Sequence, residues 1–214
     1  MTALSFVELV DRINQGLLDQ GMLPHQPPQA AMFPNEIDEM EALLGCPFTK
    51  ELREFMTTVG PGQVSHAGLF VDPSLTKELR EEIADDFAFE EGHGFLGGID
   101  SVGATPDDSA VVTGVRSGNS LGFFYFYDLA GPTPGRLTLL RLGYRDSGPL
   151  GVFAAPSLRA WLECTLRVVE SGRLDPGKTD DPSTAFTGRQ FVLENFQDII
   201  ETHGCGPGMA MLLN

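Results

Sequence analysis

The sequence predicts an α+β fold, because helical periodicity fills both ends of the chain and strand-like segments fill its middle. Apolar residues recur at helical spacing through the N-terminal part of the chain and again after the strand region. Within residues 110–154, short segments rich in β-forming residues are separated by hairpin-length turns, which favours an antiparallel meander. We therefore expect a central antiparallel sheet of about four to six strands, packed by N-terminal and C-terminal helices.

The first predicted helix begins at Ser5, because Ser5 and Glu8 have the spacing of a capping box. Its apolar residues recur every three or four positions, and Gly21 is placed to end it. The proline-rich linker PHQPPQ, residues 24–29, follows and is unable to continue a helix.

Two further helices precede the sheet, and an acidic segment has helical spacing as well. Asn35 is the expected cap of the second helix, with Phe33 before it, and Gly45 is its expected end. Thr49 is the expected cap of the third helix. The acidic stretch 75–87 carries apolar residues at four-residue spacing, which also predicts a helix.

The strands are predicted where β-forming residues lie between turn residues. They lie around Ala110–Val115, Leu121–Leu129, Leu137–Tyr144 and Leu150–Ala154. The second contains FFYFYDL, which is apolar on both faces, as expected of a central strand covered on both sides. Pro156 and Ser157 then open another helix, and a final helix contains Phe191, Phe196 and Ile199.

The composition bounds the class of the protein and its compartment. A chain of 214 residues with 42% hydrophobic residues fits one domain with decorated ends. Its three cysteines, Cys46, Cys164 and Cys205, include no C-x-x-C, which argues against a disulfide framework or a structural zinc site. The N-terminus lacks the basic start of a signal peptide, and no apolar run approaches the roughly 20 residues of a membrane span. We therefore expect a soluble, cytoplasmic protein.

The net charge is the largest departure from an average composition. The chain has 14 basic and 30 acidic residues, which gives a formal charge of −16. Such a protein is repelled by nucleic acid and by anionic membranes, and it is attracted to basic proteins. Direct binding of DNA or RNA is therefore excluded as a function.

The densest charge lies in KELREEIADDFAFEEGHGFLGG, residues 77–98. Like charges four residues apart disfavour an isolated helix by a few tenths of a kcal/mol per pair. The stretch is either a solubilising surface or a surface whose repulsion is relieved by a cationic partner. The second interpretation predicts the partner-binding residues Glu78, Glu81, Glu82, Asp85, Asp86, Glu90 and Glu91. Rival acidic patches are Glu36, Glu39, Asp107, Asp108, Asp180 and Asp181.

Catalytic, metal and cofactor chemistry finds little support in the sequence. Residues 92–97 match G-x-G-x-x-G, but they follow an acidic helix and precede a strand, which is the reverse of a dinucleotide-binding context. The carboxylates around His93 match no metal-ligand spacing, and no Ser–His or Cys–His pair is indicated. We expect no catalytic, metal-binding or cofactor-binding residues. A carboxylate-dependent hydrolase stays an open alternative, because thirty acidic residues offer many pairs of carboxylates.

The helix pair NEIDEMEALLGCPFTKELREFMTTVGPG, residues 35–62, resembles the opening of the SUKH superfamily, the Smi/Knr-type domain. SGNSLGFFYFYDL, residues 117–129, resembles the turn and central strand of that family, and residues 157–162 resemble its aromatic-containing closing helix. The residues in the family positions of the helix pair are Ile37, Glu41, Leu44, Gly45, Pro47, Leu52, Phe55 and Met56.

The resemblance implies a SUKH-like domain over residues 33–170, preceded by a helix and linker over 1–32. A C-terminal loop, helix and tail over 171–214 would pack on the same domain. It also implies an immunity protein that binds a cognate toxin, commonly a nuclease or a deaminase, delivered by a type VI or contact-dependent system. The family has no shared catalytic residues, so the resemblance implies no enzyme. A regulatory or scaffolding module is the alternative, and the oligomeric state stays open.

Overall fold

The structure is a computed structural model with an α+β fold, and the predicted class is confirmed. It describes residues 3–21, 30–64, 67–69, 71, 73, 76–77, 109–117, 121–130, 133–142, 150–173, 196–206 and 208–209.

Four helices and six strands are bounded within these residues. The helices are α1 (Phe6–Asp19), α2 (Pro34–Leu44), α3 (Lys50–Thr58) and α4 (Leu158–Glu170). The strands are β1 (Gly62–Val64), β2 (Ala67–Leu69), β3 (Ser109–Ser117), β4 (Leu121–Asp128), β5 (Leu137–Leu142) and β6 (Leu150–Ala155). A further helical segment covers residues 196–202.

The capping box predicted for α1 is present. The Glu8 carboxylate accepts hydrogen bonds from the Ser5 backbone N–H at 2.7 Å and from the Ser5 hydroxyl at 2.8 Å. The Ser5 hydroxyl oxygen accepts from the Glu8 N–H at 3.3 Å. These hydrogen bonds stabilise the ionised carboxylate and lower the pKa of Glu8. Gly21, in the left-handed region at φ 76°, lies just beyond the helix end.

The predicted cap of α2 at Asn35 is wrong, because the helix begins at Pro34 and its cap residue is Phe33. Proline is favoured at the first helical position, since its φ of about −65° is already helical and it has no N–H to leave unpaired. The Glu36 carboxylate accepts from the Phe33 N–H at 2.7 Å, so the helix start is closed without a side-chain cap from Asn35.

The other helix boundaries agree with the sequence. Gly45 ends α2 in the left-handed conformation at φ 73°, which a residue with a Cβ rarely adopts. The Thr49 hydroxyl caps α3 by accepting from the Leu52 N–H at 3.2 Å, and Ser157 caps α4 in the same way through the Ala160 N–H at 3.0 Å. The hairpin of β1 and β2 was not predicted from the sequence.

Strands β3 to β6 form a sheet in the order of the sequence, and each neighbouring pair is antiparallel. The antiparallel pairing follows from the hairpin-length connections. Strand β4 lies between β3 and β5, and β6 is an edge of this sheet. Leu137 and Thr138 are consecutive residues of β5, and they pair with Ala155 and Phe153 of β6. Ala154 is therefore an extra residue of β6 that forms a β-bulge.

The end of β4 is buried on both faces, as its apolar sequence indicates. Tyr125, Phe126, Tyr127 and Leu129 are all buried. Tyr125 and Tyr127 share one face because alternate residues of a strand point the same way. The Tyr125 ring lies 6.2 Å from the Trp161 ring on α4, so this face of β4 carries the helices.

Helices α1 and α4 run side by side in the same direction. The Arg159 guanidinium, in the first turn of α4, donates to the Leu4 carbonyl at 2.7 Å and lies over the Phe6 ring at 4.5 Å. Near the C-terminal ends of the two helices, a Cβ built on Gly16 of α1 would lie 2.5 Å from the Val169 side chain of α4. Glycine at this position therefore allows the two helix backbones to approach closely.

The C-terminal segment, which we define as residues 196–206 with 208–209, closes the same core. Its residues Phe196, Ile200 and Met209 are buried. The Gly206 N–H donates to the Ala154 carbonyl at 2.8 Å, and the Tyr125 hydroxyl donates to the Gly208 carbonyl at 2.6 Å. These two hydrogen bonds join the C-terminal segment to the sheet, and the second of them is buried.

Replacing Gly16 with Ala tests the close approach of α1 and α4. Alanine favours a helix over glycine by about 1 kcal/mol, whereas overpacking costs about 1–3 kcal/mol. Because the Val169 side chain is stiff in a helix, we expect Gly16→Ala to lower the free energy of unfolding by about 1–2 kcal/mol in urea titrations. In a Val169→Ala background the same substitution is expected to become stabilising. A stabilising Gly16→Ala in the natural background would contradict the described packing.

The buried Tyr125 hydroxyl predicts alkaline instability. Burial raises the pKa of Tyr125 well above its ordinary value of about 10. Above pH 10 the unfolded chain therefore loses a proton that the folded chain retains, so stability falls as pH rises, by up to about 1.4 kcal/mol per pH unit.

We expect Tyr125→Phe to cost about 1 kcal/mol at neutral pH, because the Gly208 carbonyl loses its donor. The variant should also show a shallower alkaline decline when the free energy of unfolding is measured from pH 8 to pH 11. Equal slopes for the variant and the natural protein would show that the tyrosine does not titrate with unfolding.

Candidate protein-binding surface

Of the acidic groups singled out in the sequence, the described residues include the patch of Glu36 and Glu39. The seven predicted partner-binding residues lie outside the described residues: Glu78, Glu81, Glu82, Asp85, Asp86, Glu90 and Glu91. The same is true of Asp107, Asp108, Asp180 and Asp181. Glu36 and Glu39 are described, and both lie exposed on α2.

Helix α2 presents two carboxylates and an apolar residue along one outward stripe. Glu36, Glu39 and Leu43 are spaced by three and four residues, so they lie on neighbouring positions of the helix surface. The Leu43 side chain is 55% exposed, and that of Phe33, at the start of the helix, is 70% exposed. We call Phe33, Glu36, Glu39 and Leu43 the α2 surface.

No cation within the described residues neutralises these carboxylates through an ion pair. Helix α2 contains no Lys or Arg. The nearest guanidinium on the adjoining helix, Arg53, is held by Asp38 and Glu41, each at 2.7 Å. The two hydrogen bonds raise the pKa of Arg53, and they direct its charge at Asp38 and Glu41 rather than at Glu36 or Glu39. The α2 surface is therefore negative as well as apolar.

The residues that resemble the family opening serve to build the helix hairpin beneath this surface. Glu41 accepts from the Phe48 N–H at 2.8 Å, in addition to its bond from Arg53, and it thereby fixes the turn between α2 and α3. Gly45 provides the left-handed residue of that turn. Apart from Pro47, which is exposed, the apolar members of the set are buried: Ile37, Leu44, Leu52, Phe55 and Met56.

The hairpin is fastened to the sheet and to α4 by one carboxylate, that of Glu51 on α3. Its two oxygens accept from the backbone N–H groups of Leu158 and Arg159, each at 3.1 Å. These groups belong to the first turn of α4, where helix N–H groups have no partner within the helix and favour a negative charge. The Tyr127 hydroxyl of β4 donates to the same carboxylate at 3.1 Å.

The hydroxyls around Glu51 form a single donor chain. Thr49 Oγ1 lies 2.5 Å from Tyr127 Oη and also accepts from the Leu52 N–H. Because Tyr127 gives its only proton to Glu51, the Thr49 hydroxyl must donate to the tyrosine oxygen. Burial is the main cause that raises the pKa of Tyr127 above its ordinary range, and the nearby Glu51 charge acts in the same direction. Tyr127 is therefore a permanent donor near neutral pH.

Sequence reasoning missed both Leu43 and Glu51. A signal for Leu43 existed, because Ile37, Met40 and Leu44 recur at helical spacing and therefore share one face of the helix, from which Leu43 is displaced. No local pattern marks Glu51, whose partners on α4 lie 107 and 108 residues away in the sequence.

Comparisons with known proteins give no independent guide. No protein-family model, no curated protein and no solved structure matches this chain. Within the described part of the chain, no group of three or more His, Cys, Asp or Glu side chains is placed to hold a metal ion. None of the helices described is long and apolar enough to cross a membrane.

Replacing Glu51 with Ala should destabilise the fold more than an ordinary surface change. The substitution leaves two backbone N–H groups and the Tyr127 hydroxyl without their acceptor, which we expect to lower the free energy of unfolding by about 1–3 kcal/mol. Glu54→Ala is the matched control, because Glu54 is an exposed carboxylate on the same helix. Chemical denaturation of both variants measures the difference. Equal losses would contradict the role of Glu51.

Proposed function

We propose that this chain is an immunity protein of the SUKH type. It resides in the cytoplasm and blocks a cognate secreted toxin by binding it. The toxin is a basic protein, a nuclease delivered by a type VI or contact-dependent system, and inhibition proceeds by covering its phosphate-binding cleft. No bond is made or broken by the immunity protein itself.

Two features support the SUKH assignment in particular. The residues that occupy the family positions of the helix pair are the ones that bury the hairpin, form its turn and hold Arg53. The strands of the middle region pair in sequence order and antiparallel, with α4 packed against the central strand β4. An antiparallel sheet covered by helices is the arrangement that the resemblance implies.

The observation that carries the proposed function is the α2 surface on a chain of charge −16. Exposed aromatic and aliphatic side chains supply most of the affinity when they enter a pocket of a partner. Flanking charges contribute chiefly to the rate and specificity of association. Phe33 and Leu43 provide the exposed apolar side chains, and Glu36 and Glu39 provide the flanking charges. A partner that fits this surface presents an apolar depression bordered by Lys or Arg.

A nuclease suits this surface on electrostatic grounds. An enzyme that binds the phosphate backbone must collect basic side chains in its cleft. A protein of charge −16 is attracted to such a cleft over roughly a Debye length, about 8–10 Å at physiological salt. The same field keeps it away from the nucleic acid that the toxin attacks.

The α2 surface is smaller than a complete interface. A specific complex of ordinary size buries about 800 Å² on each partner, which exceeds one face of a three-turn helix. We propose that the acidic stretch predicted from the sequence, Glu78 to Glu91, contributes further contacts. Its seven carboxylates would enlarge the negative region that meets the toxin.

The experiment begins with capture of the partner. The tagged full-length protein is used as bait in its native cell, and mass spectrometry identifies what remains bound after a wash at moderate salt. A basic nuclease that loses activity when the protein is added supports the proposal. A partner without toxin activity would instead indicate a regulatory or scaffolding module.

Binding kinetics with the identified toxin then test the α2 surface. We expect Phe33→Ser to raise the dissociation rate about 10–100-fold, because an anchor is removed from its pocket. Glu39→Lys should lower the association rate about 10-fold at low salt, and the deficit should shrink as salt screens it.

The matched control for charge is Asp11→Lys, an exposed position on α1 that changes the net charge by the same amount. If Glu39→Lys and Phe33→Ser behave no differently from Asp11→Lys, the α2 surface has no part in binding. If only charge reversals at Glu81 or Asp85 lower the association rate, the interface lies in the acidic stretch alone.

A further inference from the structure

Helix α2 is attached to the rest of the molecule by few apolar contacts. Of its eleven residues, Ile37 and Leu44 are buried, and Met40 packs on the core while staying partly exposed. An isolated helix of this length is marginal in water, because most helical stability in proteins comes from the packing of an apolar face. Helix α2 therefore depends on other contacts to keep its structure and its place.

Arg53 of α3 supplies two of these contacts from a single atom. Its Nη2 donates to the carboxylates of Asp38 and Glu41, each at 2.7 Å. The two acceptors are three residues apart, so the nitrogen bridges neighbouring turns on one side of α2. The Asp38 side chain is 63% exposed and that of Glu41 is 16% exposed. Since water screens an exposed ion pair, the bond to Glu41 is the stronger of the two.

The other hydrogen bonds that fasten α2 lie at its ends. Before the helix, the Met32 N–H donates to the Met56 carbonyl of α3 at 2.9 Å. At the last turn of α2, Glu41 accepts from the Phe48 N–H at 2.8 Å. Within the described residues, Arg53 is therefore the side chain that ties α2 to α3 between these two ends.

The residues that Arg53 holds alternate in sequence with those of the α2 surface. Glu39 follows Asp38 directly, and Leu43 lies two residues after Glu41. The direction of each side chain on a helix is fixed relative to its neighbours by the helical repeat. Holding the two acceptors in place therefore also holds the direction in which Glu39 and Leu43 project into solvent.

We propose that Arg53 is a positioning residue of the α2 surface, which it holds in the conformation that binds the toxin. This inference rests on the proposed function, and it adds the residue that orders the interface before binding. Arg53 acts through α2 and not by contact with the partner. When part of the population has a loosened α2, the rate of productive encounters falls in proportion to the ordered fraction. Loss of Arg53 should therefore slow association, whereas loss of the Phe33 anchor speeds dissociation.

Hydrogen exchange of the free, full-length protein tests the ordering of α2 without any partner. Arg53→Met removes the donor while keeping a long side chain of similar helix propensity. We expect the backbone amides of α2 to exchange about 10-fold faster in this variant, with those of α4 unchanged, because α2 opens more often while the rest of the fold stays intact. Arg53→Lys should lie between this variant and the natural protein, since its ammonium keeps the charge but lacks the planar fork.

Arg12→Met is the matched control, because Arg12 donates to Glu170 and this ion pair joins α1 to α4. It removes one exposed arginine outside the helix hairpin and should leave the exchange of α2 unchanged. Unaltered exchange of α2 in Arg53→Met would overturn the proposal. So would an equal acceleration in α2 and α4, which would show that Arg53 supports the whole fold. Should Arg53→Met fail to fold, the comparison of Arg53→Lys with the natural protein decides.

Association kinetics with the captured toxin give a result whose sign separates position from charge. Arg53→Met makes the chain more negative by one charge, so electrostatics alone predicts faster association with a basic toxin. Positioning predicts the reverse, and we expect the association rate to fall about 3–10-fold at physiological salt. Arg12→Met, with the same change in charge, should associate at least as fast as the natural protein.

Failure of the proposed function and failure of the positioning role give different results. A captured partner that is not a toxin would end the proposed function, and the same rate measurements with that partner would still test Arg53. If Arg53→Met binds the toxin as fast as the natural protein or faster, the toxin assignment stands and the positioning role of Arg53 is wrong.

Discussion

The hydrogen bonds to the Glu51 carboxylate connect three parts of this molecule that are distant in the sequence: α3, β4 and α4. The Glu51 carboxylate is half-buried, and it accepts from three donors, one on β4 and two in the first turn of α4. The same interaction satisfies helix N–H groups that would otherwise lack a partner. The Glu51 side chain therefore contacts the sheet and α4 at once, and it links both of them to the hairpin of α2 and α3.

The hydrogen bonds of Glu51 fix α3, and α3 in turn fixes the position of α2. Because α3 is fixed, Arg53 has a fixed position, and its bonds to Asp38 and Glu41 hold α2 in turn. The outer side of α2 is consequently presented by a braced hairpin rather than by a free helix. A surface that is ordered before binding loses less conformational entropy when a partner arrives, which benefits affinity.

The elements of this fold were largely predictable, because periodicity and capping residues are local signals. Ser5, Thr49 and Ser157 each cap the helix that the sequence assigned to them. The error at Asn35 is also instructive. A good capping side chain was outweighed by Pro34, whose ring selects the first helical position.

The candidate sites were less predictable, because they depend on which distant residues meet. The contacts of Glu51 join elements whose packing no local pattern specifies. The exposure of Phe33 likewise depends on what the fold leaves uncovered. Side-chain chemistry could be read from the sequence, whereas the neighbours of each side chain required the tertiary structure.

The bulge at Ala154 has a consequence for solubility at high concentration. An edge strand with free N–H and carbonyl groups invites another chain to add to the sheet, and this is a common route to aggregation. Here the extra residue turns a carbonyl toward the protein's own chain end, and Gly206 occupies it. Gly206 thus occupies one acceptor at the border of the sheet, which leaves one site fewer for intermolecular strand addition. Because glycine has no Cβ, its backbone is able to approach β6 this closely.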